Sequence, residues 1–585
     1  MRFINPGTIP DSHGRLFVRG AFRRFYIPAL LSCVWIAFAG VADSVFVGRG
    51  VGAAGLAAIS IGQPVYLFYN ILSYGFSIGG SIHYASRLAE GRAEEGNRIF
   101  HTILKLLIAA YVVTAALGIL FLPQLMGLLG ADPADTVTRT YIRTQLVFVP
   151  IMFCQGPFYY FVNADNGPKT AAVAMTVSGI ADAVFSYIFV LRMGLGVEGS
   201  VYSTVVGAVL MLAIAVSHIL RRRGALRFRA ERINWNDVRD AARTGFATAL
   251  QYLFQFISMI AVIRVFIRLG GEPAVAALGV VYNVALFCAA FTEGAVVASE
   301  PMISSYRSER NLPNIRSTLL YSLLWSLLLS AILTILLMVF PDTVSRFFGL
   351  TEGSAQQYTS AGIRMFAAAV LPAMLNIVFG GFYQSMLHER LSYFITILRT
   401  FVCYLAALWF CSHGGMESIW GFFAVAELLT ILLWLPLVLR KGGLLQFSGL
   451  DVTRAKTVMI DSTAQNISAI AQELQAFAEQ NGASPRLAIY ISLTVEELCC
   501  AIVERFPERM GEIYVQATVV MEDDRATLYL RDNAYEFNPL EADTEGIALH
   551  DGKHDALMGI RIVQKNAREF YYRRYSGFNT LVIRM

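Results

Sequence analysis

The sequence predicts an all-α polytopic membrane protein with about twelve transmembrane helices in two six-helix bundles, followed by an α+β cytoplasmic domain. Three observations predict it: the composition, the series of apolar segments, and the return to ordinary polarity after residue 440. Hydrophobic residues make up 56% of the 585 residues and charged residues 15%. In soluble proteins, typically about 45 to 50% of the residues are hydrophobic and about 25% are charged. The composition therefore excludes a wholly soluble protein.

Twelve segments are apolar over about 20 residues, the length that a helix needs to cross a hydrocarbon core of roughly 30 Å. They lie near 26–47, 55–85, 100–122, 139–163, 168–191, 197–219, 243–268, 273–305, 317–340, 359–386, 391–412 and 417–439. The first segment holds Asp43 and is long enough to span. We therefore expect it to be retained rather than cleaved as a signal peptide.

Basic residues are concentrated at every second connection between the apolar segments. They lie in the N-terminal segment 1–25 and in the connections near 87–98, 221–240, 307–316 and 440–441. Positively charged loops stay on the cytoplasmic side of a membrane. We therefore expect a multi-pass protein of the plasma membrane with both termini cytoplasmic. The net charge of +5 is explained by this topology, and no nucleic-acid partner is expected.

An internal repeat relates the two halves of the membrane region at an offset of about 220 residues. "GLAAIS" from Gly55 resembles "AVAALG" from Ala274, and Arg143 with Pro150 corresponds to Arg364 with Pro372. Six spans in each half enter and leave on the same side, so the repeats are predicted to be parallel. The predicted units are bundles at 26–220 and 241–440, joined by a cytoplasmic connection at 221–240.

The sequence pattern after residue 440 predicts a second domain. A linker is predicted at 441–455 and the domain itself at 456–585. Its pattern predicts helices near 463–481, 484–506 and 556–567, strands at 512–521 and 525–532, and a final hairpin.

The segment "VADSVFVGRGVGAAGLAAIS" from Val41 resembles the first two spans of multidrug and toxic compound extrusion (MATE) transporters. The resemblance extends over residues 15–440 and includes "GLGVEGSVYST" from Gly194 and "AVAELLT" from Ala424. It implies an antiporter that exports small cationic or amphipathic compounds, with H⁺ or Na⁺ as the coupling ion.

The tail is similar to the Bergerat-like (GHKL) ATP-binding domains of histidine kinases and anti-sigma-factor kinases. The resemblance rests on "ISLTVEELCCAIVER" from Ile491, "LRDNAYEFNPL" from Leu530 and "LMGIRIVQK" from Leu557. It implies a site for ATP and magnesium, with Glu497 at the catalytic-base position, Asp532 at the adenine contact and Gly559 in the third motif.

Two residues depart from this nucleotide-binding pattern. Ala501 stands where a magnesium-binding Asn is expected, and Ala534 replaces a Gly after Asp532. A backbone without those glycines cannot easily approach a phosphate. We therefore expect a regulatory domain, with a possible cytoplasmic protein partner, rather than an enzyme. The alternative is an inactive domain in which Glu497 and Asp532 are surface or capping residues.

Ionisable side chains are costly in hydrocarbon, so intramembrane carboxylates are the first candidates for function. Burial disfavours a charged carboxylate, which would let a proton gradient titrate Asp43. Asp43 is therefore predicted to carry the proton or cation; the alternative is that it only binds a helix end. Asp182, Ser186 and Thr204 are expected to form one polar cluster with it.

The second half offers further candidates. Glu293 and Glu300 are seven residues apart and so share a helix face, where they would form a second cation site; alternatively, Glu300 is a protonated hydrogen-bond donor. Glu427 is expected to form a structural ion pair with Arg399. The polar candidates for the wall of the substrate cavity, which alternatively bond neighbouring helices, are Gln251, Gln255 and Asn283.

The sequence therefore favours a secondary active exporter with a regulatory tail. No catalytic residue or metal site of the membrane region is predicted. Two other functions stay open: a flippase for a lipid or cell-wall precursor, and a membrane-anchored signalling regulator that acts through the kinase-like tail.

Overall fold

The computed structural model describes residues 12–89, 92–165, 167–228, 232–440, 443–444, 451–461, 464–506, 513–523, 525–539, 555–575 and 578–585. The N-terminal residues 1–11 and most of the predicted linker 441–455 lie outside these ranges. We call residues 12–228 the first half, 232–440 the second half and 451–585 the tail.

Eleven helices of the described chain are long and apolar enough to cross a membrane, which confirms a multi-pass, all-α membrane region. The proline residues inside several of them are tolerated in membrane helices because neighbouring groups satisfy the freed backbone. The helices of the two halves are α1 (Ser12–Gly50), α2 (Ala53–Ala89), α3 (Ala93–Leu120), α4 (Leu122–Leu129), α5 (Thr136–Ala164), α6 (Pro168–Ser186), α7 (Gly196–Leu220), α8 (Trp235–Ser308), α9 (Leu312–Val339), α10 (Pro341–Phe347), α11 (Gly353–Ser385), α12 (Glu389–Ile397), α13 (Cys403–Ser412), α14 (Gly415–Ile419) and α15 (Phe422–Arg440).

Helix α8 contains two of the predicted spans. Its 74 residues correspond to a length of about 110 Å at 1.5 Å per residue, far more than one bilayer. Gly271 divides it, with φ 66° and ψ −158°, into arms at 235–270 and 272–308. Such a positive φ is readily adopted only by glycine. The predicted connection between these spans is therefore a kink at one residue, which is how twelve predicted spans become eleven helices.

The tail is a small α+β unit with a five-stranded antiparallel sheet. The strand order is β1-β2-β3-β5-β4. Its elements are β1 (Ala455–Asp461), α16 (Ala464–Gln480), α17 (Pro485–Arg505), β2 (Tyr514–Glu522), β3 (Arg525–Asp532), α18 (Asp555–Asn566), β4 (Glu569–Tyr575) and β5 (Phe578–Arg584).

Strand β1 was not predicted; the prediction placed only the linker and the start of the domain before residue 463. It pairs along its whole length with β2, from Ala455 opposite Val520 to Asp461 opposite Tyr514. The only strand signal in its sequence is Val458 and Ile460, two apolar residues on one face.

Both faces of strand β2 are buried. Val515, Ala517 and Val519 belong to the apolar core that the tail helices share with the sheet. Gln516 and Thr518 point to the opposite face and are also buried. An antiparallel sheet commonly leaves one face to water. The second face is covered because it lies against the ends of α8 and α9, as described below.

Candidate transport site

Asp43 of α1 lies between α6 and α7 and is held by two hydroxyl groups. Ser186 Oγ donates to one carboxylate oxygen at 2.6 Å, and Ser200 Oγ donates to the other at 2.8 Å. Both serines are buried, and Asp43 is partly buried. This carboxylate therefore ties three helices together by hydrogen bonds alone.

Asp182 of α6 lies close enough to Asp43 for their charges to interact. Its Oδ1 accepts hydrogen bonds from Ser203 Oγ at 2.8 Å and from Thr204 Oγ1 at 3.2 Å. The four residues predicted to cluster, Asp43, Asp182, Ser186 and Thr204, therefore lie together. No ion pair involving either carboxylate occurs among the described residues. We call Asp43, Asp182 and their hydroxyl partners the carboxylate cluster.

Sequence reasoning missed two members of this cluster, Ser200 and Ser203. Both lie in the segment "GLGVEGSVYST" from Gly194, which resembles the MATE sequences. Ser200 is four residues before Thr204, so the two share one face of α7. That spacing was the signal that could have identified Ser200.

Partly buried aromatic and polar side chains lie on α2, α5 and α8. Tyr74 of α2 stacks on Tyr252 of α8 with ring centroids 4.9 Å apart, and meets Tyr160 of α5 edge-on at 5.9 Å. Gln251 and Gln255 lie on the same arm of α8 as Tyr252 and are partly buried.

Asn283, the third predicted residue of the cavity wall, links two helices. Its Nδ2 donates to Ser44 Oγ of α1 at 3.1 Å and to the Gly279 carbonyl oxygen at 2.8 Å. This geometry agrees with the alternative in which the amide bonds a neighbouring helix. The contact also joins the first half to the second, one residue from Asp43.

Glu293 and Glu300 are exposed on the second arm of α8. The described structure contains no hydrogen bond or ion pair of either side chain, although Glu293 is near enough to Arg399 for their charges to interact. They are therefore not joined to the carboxylate cluster by any contact in the described chain.

Arg399 and Glu427 form an ion pair within the second half. Arg399 Nε lies 2.6 Å from Glu427 Oε1. Asn376 Nδ2 donates to the other Glu427 oxygen at 2.7 Å, and Asn376 Oδ1 accepts from Trp434 Nε1 at 2.8 Å. Glu427 is thus neutralised and bonded from two sides, which suits a structural role.

Two π-helical turns, neither predicted, lie in one span of each half. The first, Tyr187–Arg192, directly follows Ser186; the second, Leu398–Val402, contains Arg399. A π-helical turn inserts an extra residue into a helix and often occurs at a functional site. Each turn therefore adjoins a residue that bonds an intramembrane carboxylate.

Close backbone contacts join the two halves at both ends of the membrane region. Near the ends of α1 and α10, a methyl group on Gly48 would lie 2.0 Å from the Phe348 carbonyl oxygen. Near the other end, a methyl group on Gly245 of α8 would lie 1.6 Å from the Gly75 carbonyl oxygen of α2. Small residues permit such close helix approach in membranes.

The tail docks onto the turn between α8 and α9. Arg531 Nη2 lies 2.5 Å from Glu309 Oε1 and donates to Ser305 Oγ at 2.8 Å, and its guanidinium lies 4.8 Å from the Tyr306 ring centre. The side chains of Arg531 and Glu309 are only 11% and 2% exposed. Burial acts to lower the pKa of Arg531, but the Glu309 carboxylate outweighs it and holds that pKa above its ordinary value.

Further contacts broaden this docking surface. Asn314 Nδ2 of α9 donates to Gln516 Oε1 of β2 at 3.0 Å, and both residues are buried. Arg310 lies 3.5 Å from Glu522 and donates to the Asp451 carbonyl oxygen. The second face of the sheet therefore rests on the second half through charged and amide groups.

The predicted nucleotide residues lie on the other side of the tail sheet. Asp532 follows Arg531 on β3, and successive strand residues point to opposite faces. Asp532 is buried, and its Oδ1 accepts from Asn579 Nδ2 at 2.8 Å and from the Ala534 backbone N–H at 2.9 Å. Glu497 is partly buried on α17, and Gly559 lies in α18. Most of the segment between Asp532 and α18 lies outside the described residues.

Two curated proteins resemble this chain over part of their length. The probable multidrug resistance protein YoeA of Bacillus subtilis is 25% identical over 273 residues, which is 45% of this chain and 59% of that protein. The FAD transporter of Shewanella oneidensis is 23% identical over 250 residues, which is 40% of this chain and 54% of that protein. The chain thus spans somewhat more than half the length of each.

A solved structure shares the fold. The inward-facing conformation of a multidrug resistance MATE family transporter of the MOP superfamily matches with a TM-score of 0.62 at 18% identity, covering 69% of this chain and 96% of that one. The family model described as MatE matches residues 28–188 and 244–409, one segment in each half and more than half of the chain together. The chain therefore belongs to the MatE family of membrane transporters.

Proposed function

We propose that this protein is a multidrug exporter of the secondary active type, in which a proton or sodium ion at the carboxylate cluster drives export of small cationic or amphipathic compounds. One observation carries the proposal. Asp43 and Asp182 lie close together inside the membrane region, and all of their side-chain hydrogen-bond partners in the described structure are hydroxyl groups. Two neighbouring carboxylates in a low dielectric are costly unless a proton or cation neutralises one of them.

The hydrogen bonds of Asp43 suggest how neutralisation would be coupled to movement. An ionised carboxylate only accepts hydrogen bonds, whereas a protonated one also donates. Adding a proton or cation at Asp43 would therefore rearrange its bonds to Ser186 on α6 and Ser200 on α7. Such a change shifts the equilibrium between two positions of α1 relative to α6 and α7. Alternating access of the two halves would follow from that shift.

The substrate class is supported by the aromatic wall. Tyr252 lies on the same arm of α8 as Gln251 and Gln255, and its ring stacks on Tyr74, which meets Tyr160 edge-on. Aromatic faces bind flat rings by stacking and cations by charge attraction. One of the two relatives is named an FAD transporter, and FAD contains flat aromatic rings.

Transport of a fluorescent cationic dye into liposomes that contain the full chain tests this function. We expect dye movement to follow an imposed pH or sodium gradient and to stop in Asp43→Asn and in Asp182→Asn. Asp132→Asn is the matched control, because Asp132 is exposed in the loop before α5. Unchanged transport in both cluster variants would contradict the proposal. Movement of a labelled lipid instead of the dye would favour the flippase.

The same proposal includes the topology. Two parallel six-helix bundles at 26–220 and 241–440, with both termini cytoplasmic at the plasma membrane, explain the alternating basic connections. Single cysteines introduced into the connections 221–228 and 130–135 of a cysteine-free variant would test it. The first connection should react with an impermeant maleimide only from the cytoplasmic side, and the second only from outside.

We assign the tail a regulatory role with a GHKL-like fold. The described residues fit a nucleotide only in part: Asp532 Oδ1 already bonds Asn579 and Ala534, and Ala501 and Ala534 are buried apolar side chains. No step of transport is therefore assigned to ATP. Calorimetry with ATP and magnesium, on the full chain and on Asp532→Ala, tests binding. A lack of heat in the intact chain would favour a purely protein-binding tail.

A further inference from the structure

A cavity of about 260 Å³ opens between α5 and α7, in the part of the first half that is farthest from the tail. Its walls carry both signs of charge, hydroxyl groups and aromatic rings. The polar groups belong to Thr140, Arg143, Thr144, Glu198 and Tyr202. The carboxylate cluster is not part of this cavity, so its use is independent of the proposed transport site.

The two charged groups of the cavity are not paired with each other. The described structure has no ion pair between Arg143 and Glu198, although both line the same space. Glu198 is held in place by Thr144 Oγ1, which donates to it at 3.1 Å. In the second half, the repeat counterpart Arg364 lies 3.9 Å from Asp342. Arg143 therefore has no ion-paired carboxylate among the described residues, whereas Arg364 has one.

The depth of the cavity matches the headgroup layer of a bilayer. Arg143 is seven residues from the start of α5, about 10 Å along the helix axis, and Glu198 is in the first turn of α7. Exposed apolar side chains continue from there toward the middle of the membrane. Val147 and Ile151 follow on the Arg143 face of α5, and Val209 lies on α7. A ligand with a charged head and apolar chains would satisfy both regions.

We propose that this cavity binds a zwitterionic phospholipid that has a primary amine, such as phosphatidylethanolamine, in the leaflet farthest from the tail. The guanidinium of Arg143 would take the phosphate, since arginine binds phosphate through two parallel N–H groups. The carboxylate of Glu198 would accept hydrogen bonds from the ammonium group. A choline headgroup has no N–H to donate, and a glycerol headgroup has no positive charge, so both should bind more weakly.

The test measures thermal stabilisation of the purified full chain in detergent, titrated separately with phosphatidylethanolamine, phosphatidylcholine and phosphatidylglycerol. We expect phosphatidylethanolamine to act at the lowest concentration. Arg143→Gln should raise the required concentration at least about tenfold, because it removes charge-assisted hydrogen bonds. Glu198→Gln should remove the preference for the amine. Arg139→Gln is the matched control, since Arg139 is exposed one turn away on the same face of α5 but does not line the cavity.

Four results would overturn the assignment. Equal stabilisation by all three lipids would show that the protein does not recognise the headgroup. An unchanged titration in Arg143→Gln, or an equal loss in Arg139→Gln, would show that the cavity is not where the lipid binds. Soluble glycerophosphoethanolamine that acts at the same concentration as the lipid would show that the acyl chains are not recognised. Variants that lose stability without added lipid are replaced by Arg143→Lys, which keeps the charge but not the paired N–H groups.

Discussion

Removing the Arg531 guanidinium should release the tail from the membrane region. In Arg531→Gln, the carboxylate of Glu309 keeps its bond to Ser305 but loses the cation beside it, in a place where its side chain is 2% exposed. Removing one partner of a buried ion pair costs about 3 to 5 kcal/mol. At about 1.4 kcal/mol per factor of ten, the docking equilibrium should fall by roughly two to almost four orders of magnitude.

Hydrogen exchange of the full chain in lipid nanodiscs, read by mass spectrometry, measures this release. Peptides from β2, β3 and the start of α9 should exchange faster in Arg531→Gln, because docking covers them. Peptides from α16 and α17 should not change, because those helices pack on the other face of the sheet. Arg584→Gln is the matched control. It breaks an ion pair with Glu569 of the same kind, at 2.6 Å but with side chains 60% and 65% exposed, and such pairs contribute about 0 to 1 kcal/mol.

Two outcomes would refute this reasoning. Unchanged exchange in Arg531→Gln would show that the sheet is held by other contacts, such as Asn314 with Gln516. Equal exchange in Arg584→Gln and Arg531→Gln would show that burial does not set the cost of breaking the pair. The charge-reversed pair Arg531→Glu with Glu309→Arg should restore slow exchange. If each single change has a large effect and the double variant does not restore slow exchange, the two residues act separately.

Three further measurements follow from the packing. Gly245→Val should lower the thermal unfolding temperature by several degrees, because the valine side chain would clash with the α2 backbone. Gly380→Val is the control and should leave this temperature unchanged, because no atom lies within 4 Å of a methyl group placed on Gly380. Asn376→Leu should destabilise by about 1 to 3 kcal/mol in chemical unfolding, because Glu427 loses a buried donor. Burial raises the pKa of the Cys499 thiol, so the folded tail keeps this proton above the ordinary thiol pKa of about 8.5, whereas the unfolded chain loses it. The stability of the tail should therefore be flat to about pH 8 and then fall, and Cys499→Ala should remove that fall.

The membrane helices could be predicted from the sequence because a span needs a long apolar run and few charges. The predicted segment at 197–219 lies within α7, and the one at 100–122 overlaps α3, which begins seven residues earlier and ends two residues earlier. The kink at Gly271 could not be predicted, since glycine followed by proline two residues later equally describes a loop. Strand β1 was missed because an edge strand of seven residues has a weak pattern.

The candidate sites differ in how far local sequence reveals them. Asp43 and Asp182 stand out because carboxylates are rare in membrane helices. Ser200 and Ser203 do not, because serine is tolerated in such helices for many reasons. The pairing of Arg531 with Glu309 joins residues 222 positions apart. Nothing in either local pattern indicates the other, so this contact emerges only from the fold.

The two halves have similar helices, but their intramembrane carboxylates have different partners. This difference bears on which carboxylate would bind the coupling ion. In the second half, the π-helical turn supplies Arg399, which neutralises Glu427 at 2.6 Å. In the first half, the turn adjoins Ser186, and the described hydrogen bonds to Asp43 come from hydroxyl groups. A carboxylate with a fixed cation has little need of a mobile one, so the proposed ion exchange is assigned to Asp43 rather than to Glu427. The tail is anchored to the second half at Glu309. Movement between the halves would therefore change the distance between the tail and the ion site, which is the quantity that a regulatory tail could sense.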